Sequence, residues 1–242
     1  MDKLVGVALV GGVATITLDS PANRNALSQQ LLADLHDALD TAQTGNARVV
    51  VLTHTPPAFC AGADLKERST GRVDSTSFVG AIERLGTMAA PVIAAVDGPV
   101  RAGGIGLMAA CDLAVVNPSI TFAFTEVRIG VAPAIITGPI MQRCGWSKVA
   151  AAYLTGEVFD AARALDMGLI THIAEDVEAT VAELSRNILL GAPNAVAATK
   201  ELLRRPHSMP VLQALSESLF TSDEGREGMA AFAEKRPPRW AP

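Results

Sequence analysis

The sequence predicts an α/β fold that gives way to an all-helical C-terminal segment. Apolar runs of buried-strand type recur in "ARVVVLT" (Ala47 to Thr53), "PVIAAV" (Pro91 to Val96), "CDLAVV" and "ITFAF". Loops and stretches of helical period separate them, in the strand–loop–helix–strand order of α/β proteins. Beyond about Val177 the apolar spacing turns helical to the end of the chain.

The elements follow in order. Leu4 to Leu9 alternates weakly, "GG" at Gly11–Gly12 follows, and "VATITL" (Val13 to Leu18) is rich in β-branched residues, which predicts two strands joined by a turn. "DSPANRNALS" is polar punctuation, with Ser28 as a helix N-cap. From Gln29 to Ala42 the apolar positions Leu31, Leu32, Leu35, Ala38, Leu39 and Ala42 keep helical spacing. "PPAFCAGAD" reads as a loop, Ser69 to Ser77 as exposed and mobile, and a helix follows to Ala89. In the tail, Val181 to Leu190, Ala195 to Leu203 and Val211 to Phe220 carry helical spacing.

At 242 residues, 49% of them hydrophobic, the chain can bury a sizeable core with a C-terminal appendage. The net charge of −5, with no run of Lys or Arg longer than a pair, argues against a nucleic-acid surface. Cys60, Cys111 and Cys144 are odd in number, far apart and form no CxxC, as expected for reduced thiols in a cytoplasmic protein. His36, His54, His172 and His207 lack metal-ligand spacing, so no metal is expected. The N-terminus lacks the basic start and apolar stretch of a signal peptide, and Gly, Pro or Asp breaks every apolar run short of a bilayer span, so no membrane partner is expected.

Several motifs fail. "VRAGGIGLMAACD" (Val100 to Asp112) has no Gly-Lys-Ser/Thr after its glycines and lacks dinucleotide-fingerprint spacing. "GWSKV" lacks the second glycine of a nucleophile elbow, and no HExxH occurs. Two glycine loops remain, "FCAGADLKE" (Phe59 to Glu67) and "GPVRAGGIGL" (Gly98 to Leu107), each between a buried strand and a helix. Backbone N–H groups there are free to converge on one oxygen as an oxyanion hole, with a helix dipole behind the second. Taken singly, each run is equally readable as a tight turn.

At these residues the sequence resembles the crotonase (enoyl-CoA hydratase/isomerase) superfamily. The resemblance covers nearly the whole chain: "NRNALS", "VVVLTHTPPAFCAGADLKE", "PVIAAVDGPVRAGGIGLMAACDLAVV", "FAFTEVRIGVAP", "LTGEVFDAARALDMGLI" and "GMAAFAEKRPPRW". It implies a spiral of ββα units over residues 1–186 with the acyl-CoA site, and a helical trimerisation region over 187–242. It also implies that the N–H groups of Ala63 and Gly103, with Gly104 beside them, hold a thioester oxygen. Ala61, Asp64 and Leu65 match positions near the adenine and pantetheine of coenzyme A, while Lys66 and Arg24 match phosphate contacts or plain surface charges. Asp64 and Asp112 also fit turn or helix caps. Coenzyme A would belong to the substrate, with no further cofactor.

The well-characterised hydratases of this family use two glutamates, one three residues beyond the oxyanion glycine and one twenty residues further. Here those positions hold Gly106 and Glu126. Hydration needs water activated at C3 and a proton delivered to C2, which two carboxylates share easily. Moving a double bond from C3–C4 to C2–C3 needs one base. Hydratase, the commonest member of the family, comes first, single-glutamate isomerase, which the chemistry at Gly106 favours, a close second, and a catalytically impaired acyl-CoA-binding homologue or another enolate reaction behind them. Glu126 could also be a structural acid paired with Arg128. The second loop commonly reads like "ALGGG" in this family, but "VRAGG" here. Arg101 then has three readings: an ion pair, a clamp for an acyl carboxylate, or a structural role, which leads. Pro133 to Ile136 would line the acyl pocket. The resemblance further implies a homotrimer or hexamer in which Phe232 and Lys235 approach coenzyme A bound to a neighbouring copy, against the alternative that the tail folds back on its own core.

Overall fold

The computed structural model describes residues 3–69 and 74–242. Residues 70–73, within the stretch expected to be exposed and mobile, lie outside the described residues. Strands β1 (Val5–Val10) and β2 (Val13–Leu18) pair antiparallel from Val5↔Leu18 to Val10↔Val13. Gly11 and Gly12 turn between them at φ of +57° and +81°, the two positive values that a tight two-residue hairpin needs. A 3-10 turn, Pro21–Asn23, leads to α1 (Gln29–Thr44). Ser28 Oγ accepts from Leu31 N–H at 3.2 Å, a cap worth about 1 kcal/mol. Leu31, Leu35, Leu39 and Ala42 form the buried stripe of α1.

Next come β3 (Val49–His54), α2 (Leu65–Arg68), α3 (Thr76–Thr87), β4 (Val92–Val96), β5 (Val100–Arg101), α4 (Gly103–Ala110) and β6 (Leu113–Val116). β7 (Thr121–Ala123) ends before a second 3-10 turn, Glu126–Ile129. α5 (Ala134–Arg143), α6 (Trp146–Thr155), β8 (Val158–Asp160), α7 (Ala161–Met167) and β9 (His172–Ile173) complete the α/β part. Then follow α8 (Val177–Leu189), α9 (Pro193–Arg204), α10 (Met209–Thr221) and α11 (Asp223–Glu234). The helical tail is thus as expected in kind, with a break at Ser222 that apolar spacing alone does not mark.

The main sheet runs β1-β2-β3-β4-β6-β9, parallel from β2 onward, and a small sheet runs β5-β7-β8. Strand alternation splits the main sheet between two cores. Ile16, Leu18, Val50, Leu52, Ala94 and Val116 face the principal core, which also holds buried residues of α1, α3 and α4. Val49, Val51, Ile93, Ala95 and Val115 face α8 through Val177, Val181 and Leu189. The boundary expected between residues 186 and 187 falls inside α8.

All eight residues of α4 are buried. Its last carbonyls therefore need protein donors. Arg143 donates to Ala109 O and Cys111 O, and Arg204 to Ala110 O. Asp112 binds Arg204 at 2.7 Å and Lys200 at 2.8 Å. Lys200 also donates to Ala90 O and Leu85 O, so α9 is locked onto the strand that follows α4. Arg48 donates to Leu189 O, Gly191 O and Trp240 O, and Trp240 Nε1 donates to Leu190 O. The last residues of the tail thus dock on their own chain. No helix among the described residues is long and apolar enough to cross a membrane.

Removing the carboxylate of Asp112 leaves Lys200, 6% exposed, as a buried and unpaired cation. Asp112→Ala is expected to cost about 3–5 kcal/mol, read as a lower urea midpoint with an unchanged slope.

Candidate active site

The first glycine loop is stitched between two neighbours. Phe59 N–H donates to Pro99 O at 3.1 Å and Arg101 N–H to Cys60 O at 3.0 Å. On the other side, Leu27 N–H donates to Gly62 O at 2.8 Å and Ala61 N–H to Arg24 O at 3.0 Å. Gly62 has φ +92°, and a β-carbon there would stand 2.9 Å from Ala102 Cβ and 3.6 Å from Gly103 N. That close approach, open only to glycine, brings the Ala63 peptide against the start of α4. Gly104 is equally tight, since a β-carbon would meet Cys60 Cβ at 2.6 Å. Among the described residues, the N–H groups of Ala63 and Gly103 have no acceptor. Ala102, the N-cap of α4, sits at φ +47°, ψ −119°, a conformation that costs a non-glycine residue about 1–3 kcal/mol.

The small sheet brings Glu126 to the same place. β5 and β7 are parallel, with Val100 opposite Phe122 and Arg101 opposite Ala123. Parallel strands leave their ladder at the same end. Ala102–Gly103 and Phe124–Glu126 therefore emerge together, tied by Ala102 N–H to Ala123 O at 3.1 Å. Glu126 opens its 3-10 turn with Oε2 buried and unpartnered. Burial pushes its pKa above the ordinary glutamate value, partly offset by its own backbone N–H. No cation pairs with it among the described residues. Arg128, the partner suggested for a structural role, instead donates to Thr155 O at 3.2 Å. Arg101 donates to Val100 O and to both Thr121 O and Thr121 Oγ1, so it staples β5 to β7.

Gly106 lies inside α4 with Ile136 of α5 packed against it. A β-carbon at 106 would stand 2.8 Å from Ile136 Cβ and closer still to Cγ2. The volume a first acid would need is filled by a side chain that is 2% exposed.

The remaining candidates lie on α2, the first 3-10 turn and α11. Asp64 caps α2, accepting from Lys66 N–H and Glu67 N–H, and its other oxygen accepts from Asn23 Nδ2 at 3.2 Å. Leu65 and Lys66 are exposed beyond it, and Arg24 is exposed next to Asn23 at φ +59°. Phe232, 88% exposed, and Lys235, the C-cap of α11, make no hydrogen bond or ion pair to either loop among the described residues. No group of three His, Cys, Asp or Glu placed to hold a metal occurs among them either. Sequence reasoning missed Tyr153 of α6. Its hydroxyl is buried and unpartnered, and its ring packs on Phe124 with centroids 4.3 Å apart. Nothing in the local pattern marks it, since it occupies an ordinary helical position.

Comparison with known proteins agrees with this architecture. The sequence profile of the enoyl-CoA hydratase/isomerase family matches residues 9–242. An enoyl-CoA isomerase/hydratase of Mycosarcoma maydis is 31% identical over 94% of this chain and 92% of its own. The crystal structure of an enoyl-CoA hydratase from Mycobacterium avium is 44% identical, covers 99% of this chain and 100% of its own, and superposes with a TM-score of 0.76. That of an enoyl-CoA hydratase/isomerase from Marinobacter aquaeolei is 29% identical, covers 100% of both chains and reaches a TM-score of 0.92. With its sequence matched over residues 9–242 and its fold matched over the whole chain, this chain belongs to the enoyl-CoA hydratase/isomerase family.

Proposed function

We propose that the protein is an enoyl-CoA hydratase that works through a thioester enolate. The observation that carries this reading is the exit of Gly103 and Glu126 from one end of the β5–β7 ladder, with the N–H groups of Ala63 and Gly103 unspent and the Glu126 carboxyl group unpaired. The thioester oxygen would accept from Ala63 N–H and Gly103 N–H. Donors already aimed at that oxygen stabilise the negative charge it gains, and the N-terminal dipole of α4 adds to them. Glu126 would take a proton from water on one oxygen as the C3–O bond forms and deliver a proton to C2, so that the enolate collapses to the 3-hydroxyacyl thioester. Its raised pKa suits a group that alternates between acid and base near neutrality.

Gly106 with Ile136 favours a second reading. With one carboxylate and no room for another, the site suits a Δ-isomerase in which Glu126 removes a proton from C2 of a 3-enoyl thioester and returns it to C4. In both reactions Ala61, Asp64 and Leu65 would hold coenzyme A along the adenine and pantetheine, and Arg24 and Lys66 at phosphates. No cofactor beyond the coenzyme A of the substrate is called for. We place the protein in the cytoplasm as a trimer or a pair of trimers. α10 has no buried residue, and Met209, Val211 and Phe220 on it, with Phe232 on α11, are exposed apolar groups. Packing against a second copy would cover them and bring Phe232 and Lys235 to that copy's coenzyme A.

A panel of 2-enoyl-CoA and 3-enoyl-CoA thioesters, followed by mass spectrometry, tests the assignment. Hydration of 2-enoyl substrates supports the hydratase and double-bond migration the isomerase, whereas tight binding with neither rejects both. Glu126→Gln is expected to lower turnover about 10²–10⁴-fold with little change in binding. Its stability should change in a pH-dependent way. A carboxyl group whose pKa rises on folding stabilises the fold only while protonated, and that contribution is lost as pH rises through the folded pKa. Glu126→Gln should therefore melt higher than the parent at neutral pH and equal to it below the ordinary glutamate pKa. Gly106→Glu alone should destabilise the chain through Ile136, whereas Gly106→Glu with Ile136→Ala should fold and raise hydration relative to isomerisation. Light scattering should give the mass of three or six chains.

A further inference from the structure

We propose that Tyr153 is a positioning residue for Glu126, its hydroxyl donating a hydrogen bond to the carboxylate so that one oxygen is held and the other is left for the substrate. The inference rests on the reading of Glu126 as the acid/base. Glu126 Oε2 and Tyr153 Oη, an acceptor and a donor on adjoining elements, are both buried and neither is bonded in this structure, to the other included, so the proposed bond forms by side-chain rotation. Buried polar groups without partners are rare, because each forfeits its hydration. Two of them on adjoining elements, close enough for the charge of Glu126 to act on the phenol, call for a common explanation.

The scaffold holds them together. The Tyr153 ring lies 4.3 Å from the Phe124 ring at 50°, two residues before Glu126. The end of α6 is pinned to the turn that carries Glu126: Arg128 Nε donates to Thr155 O, and a β-carbon at Gly156 would stand 3.1 Å from Phe124 O. The Thr137 hydroxyl, beside the phenol, spends its proton on Pro133 O at 2.7 Å, so it can accept from Tyr153 but has nothing to donate to Glu126. Arg101 is committed to Val100 and Thr121, and Ile136 closes the side where Gly106 lacks an acid.

The titratable groups that face the phenol are Glu126 and Cys144. Cys144 is a buried thiol pushed up to about 11, chiefly by desolvation, and is neutral at working pH. Burial pushes Tyr153 up to about 12, against a lowering contact from Thr137, and the negative charge of Glu126 adds to the rise. A phenol so placed stays protonated and can only donate to the carboxylate.

Tyr153 is the only tyrosine of the chain, so a protein labelled with carbon-13 at Cζ of tyrosine gives one resonance. That resonance is expected to move in Glu126→Gln, and the phenol to ionise at lower pH. Tyr153→Phe keeps the ring on Phe124 and should fold. Losing a donor to the charged form raises the pKa of Glu126, so the acid limb of kcat/KM should move up by about one pH unit. Below that limb kcat should fall about tenfold with KM little changed. The proposal stands if the resonance moves and, in active enzyme, the limb shifts, and it is overturned if either stays in place. Should no enoyl-CoA be turned over, the proposed function fails, while the resonance still decides whether Tyr153 and Glu126 are coupled.

Discussion

A short helix buried on every side must find partners for the polar groups at both of its ends, and α4 meets that demand asymmetrically. Its C-terminal carbonyls are taken by Arg143 and Arg204, and these cations lie where the helix dipole is negative. Its N-terminal end meets the Gly62–Ala63 turn and keeps the Gly103 N–H unspent. Much of the fold follows from holding this helix in place. α3 and α5 wall it, Asp112 just beyond it organises Lys200 and Arg204, and through them α9 is bound to the core. The clamp and the open end, where the proposed chemistry takes place, are two ends of one helix. A change at Asp112 is therefore a change to the support of the site.

The carboxyl side of the site depends on packing more than on charge. Glu126 is unpaired because the nearby cations, Arg101 and Arg128, are bound to backbone and hydroxyl oxygens. Desolvation is then the main influence on its proton affinity. Ile136 has the complementary effect, since its side chain occupies the volume beside Gly106 and leaves the apolar wall continuous. The candidate site thus has a methyl-lined surface where a second acid would stand, which under the proposed function leaves one carboxyl group and two amides for the chemistry.

The parts of this arrangement legible in the sequence are those written locally. Ser28 as a cap, the Gly11–Gly12 turn, the stripe of α1 and the two glycine loops each carry their signal within a few residues. Strands β5, β8 and β9 carry none, because two or three residues are too few to show alternation and they exist only by pairing with distant partners. The same holds for the site. Glu126 and the loops were visible as motifs, but their meeting depends on the register of a two-residue strand. The role of Arg101 is open in the sequence because its acceptors, Val100 O and Thr121, are set by strand pairing. Ile136 and Tyr153 are ordinary helix residues in the sequence, and their importance lies in what they face across the core.

The docking of the tail has a bearing on how the chain is made. Arg48 donates to Trp240 O across 192 positions, so its guanidinium waits for an acceptor that is synthesised much later. At about 5–20 residues per second that interval is about 10–40 s. Strands β1 to β4 are sequential neighbours in the sheet and can assemble within it. The partly formed sheet then still lacks the tail that α8 and Arg48 will hold. Nascent chains stalled before Trp240 should accordingly engage chaperones that the released chain no longer needs.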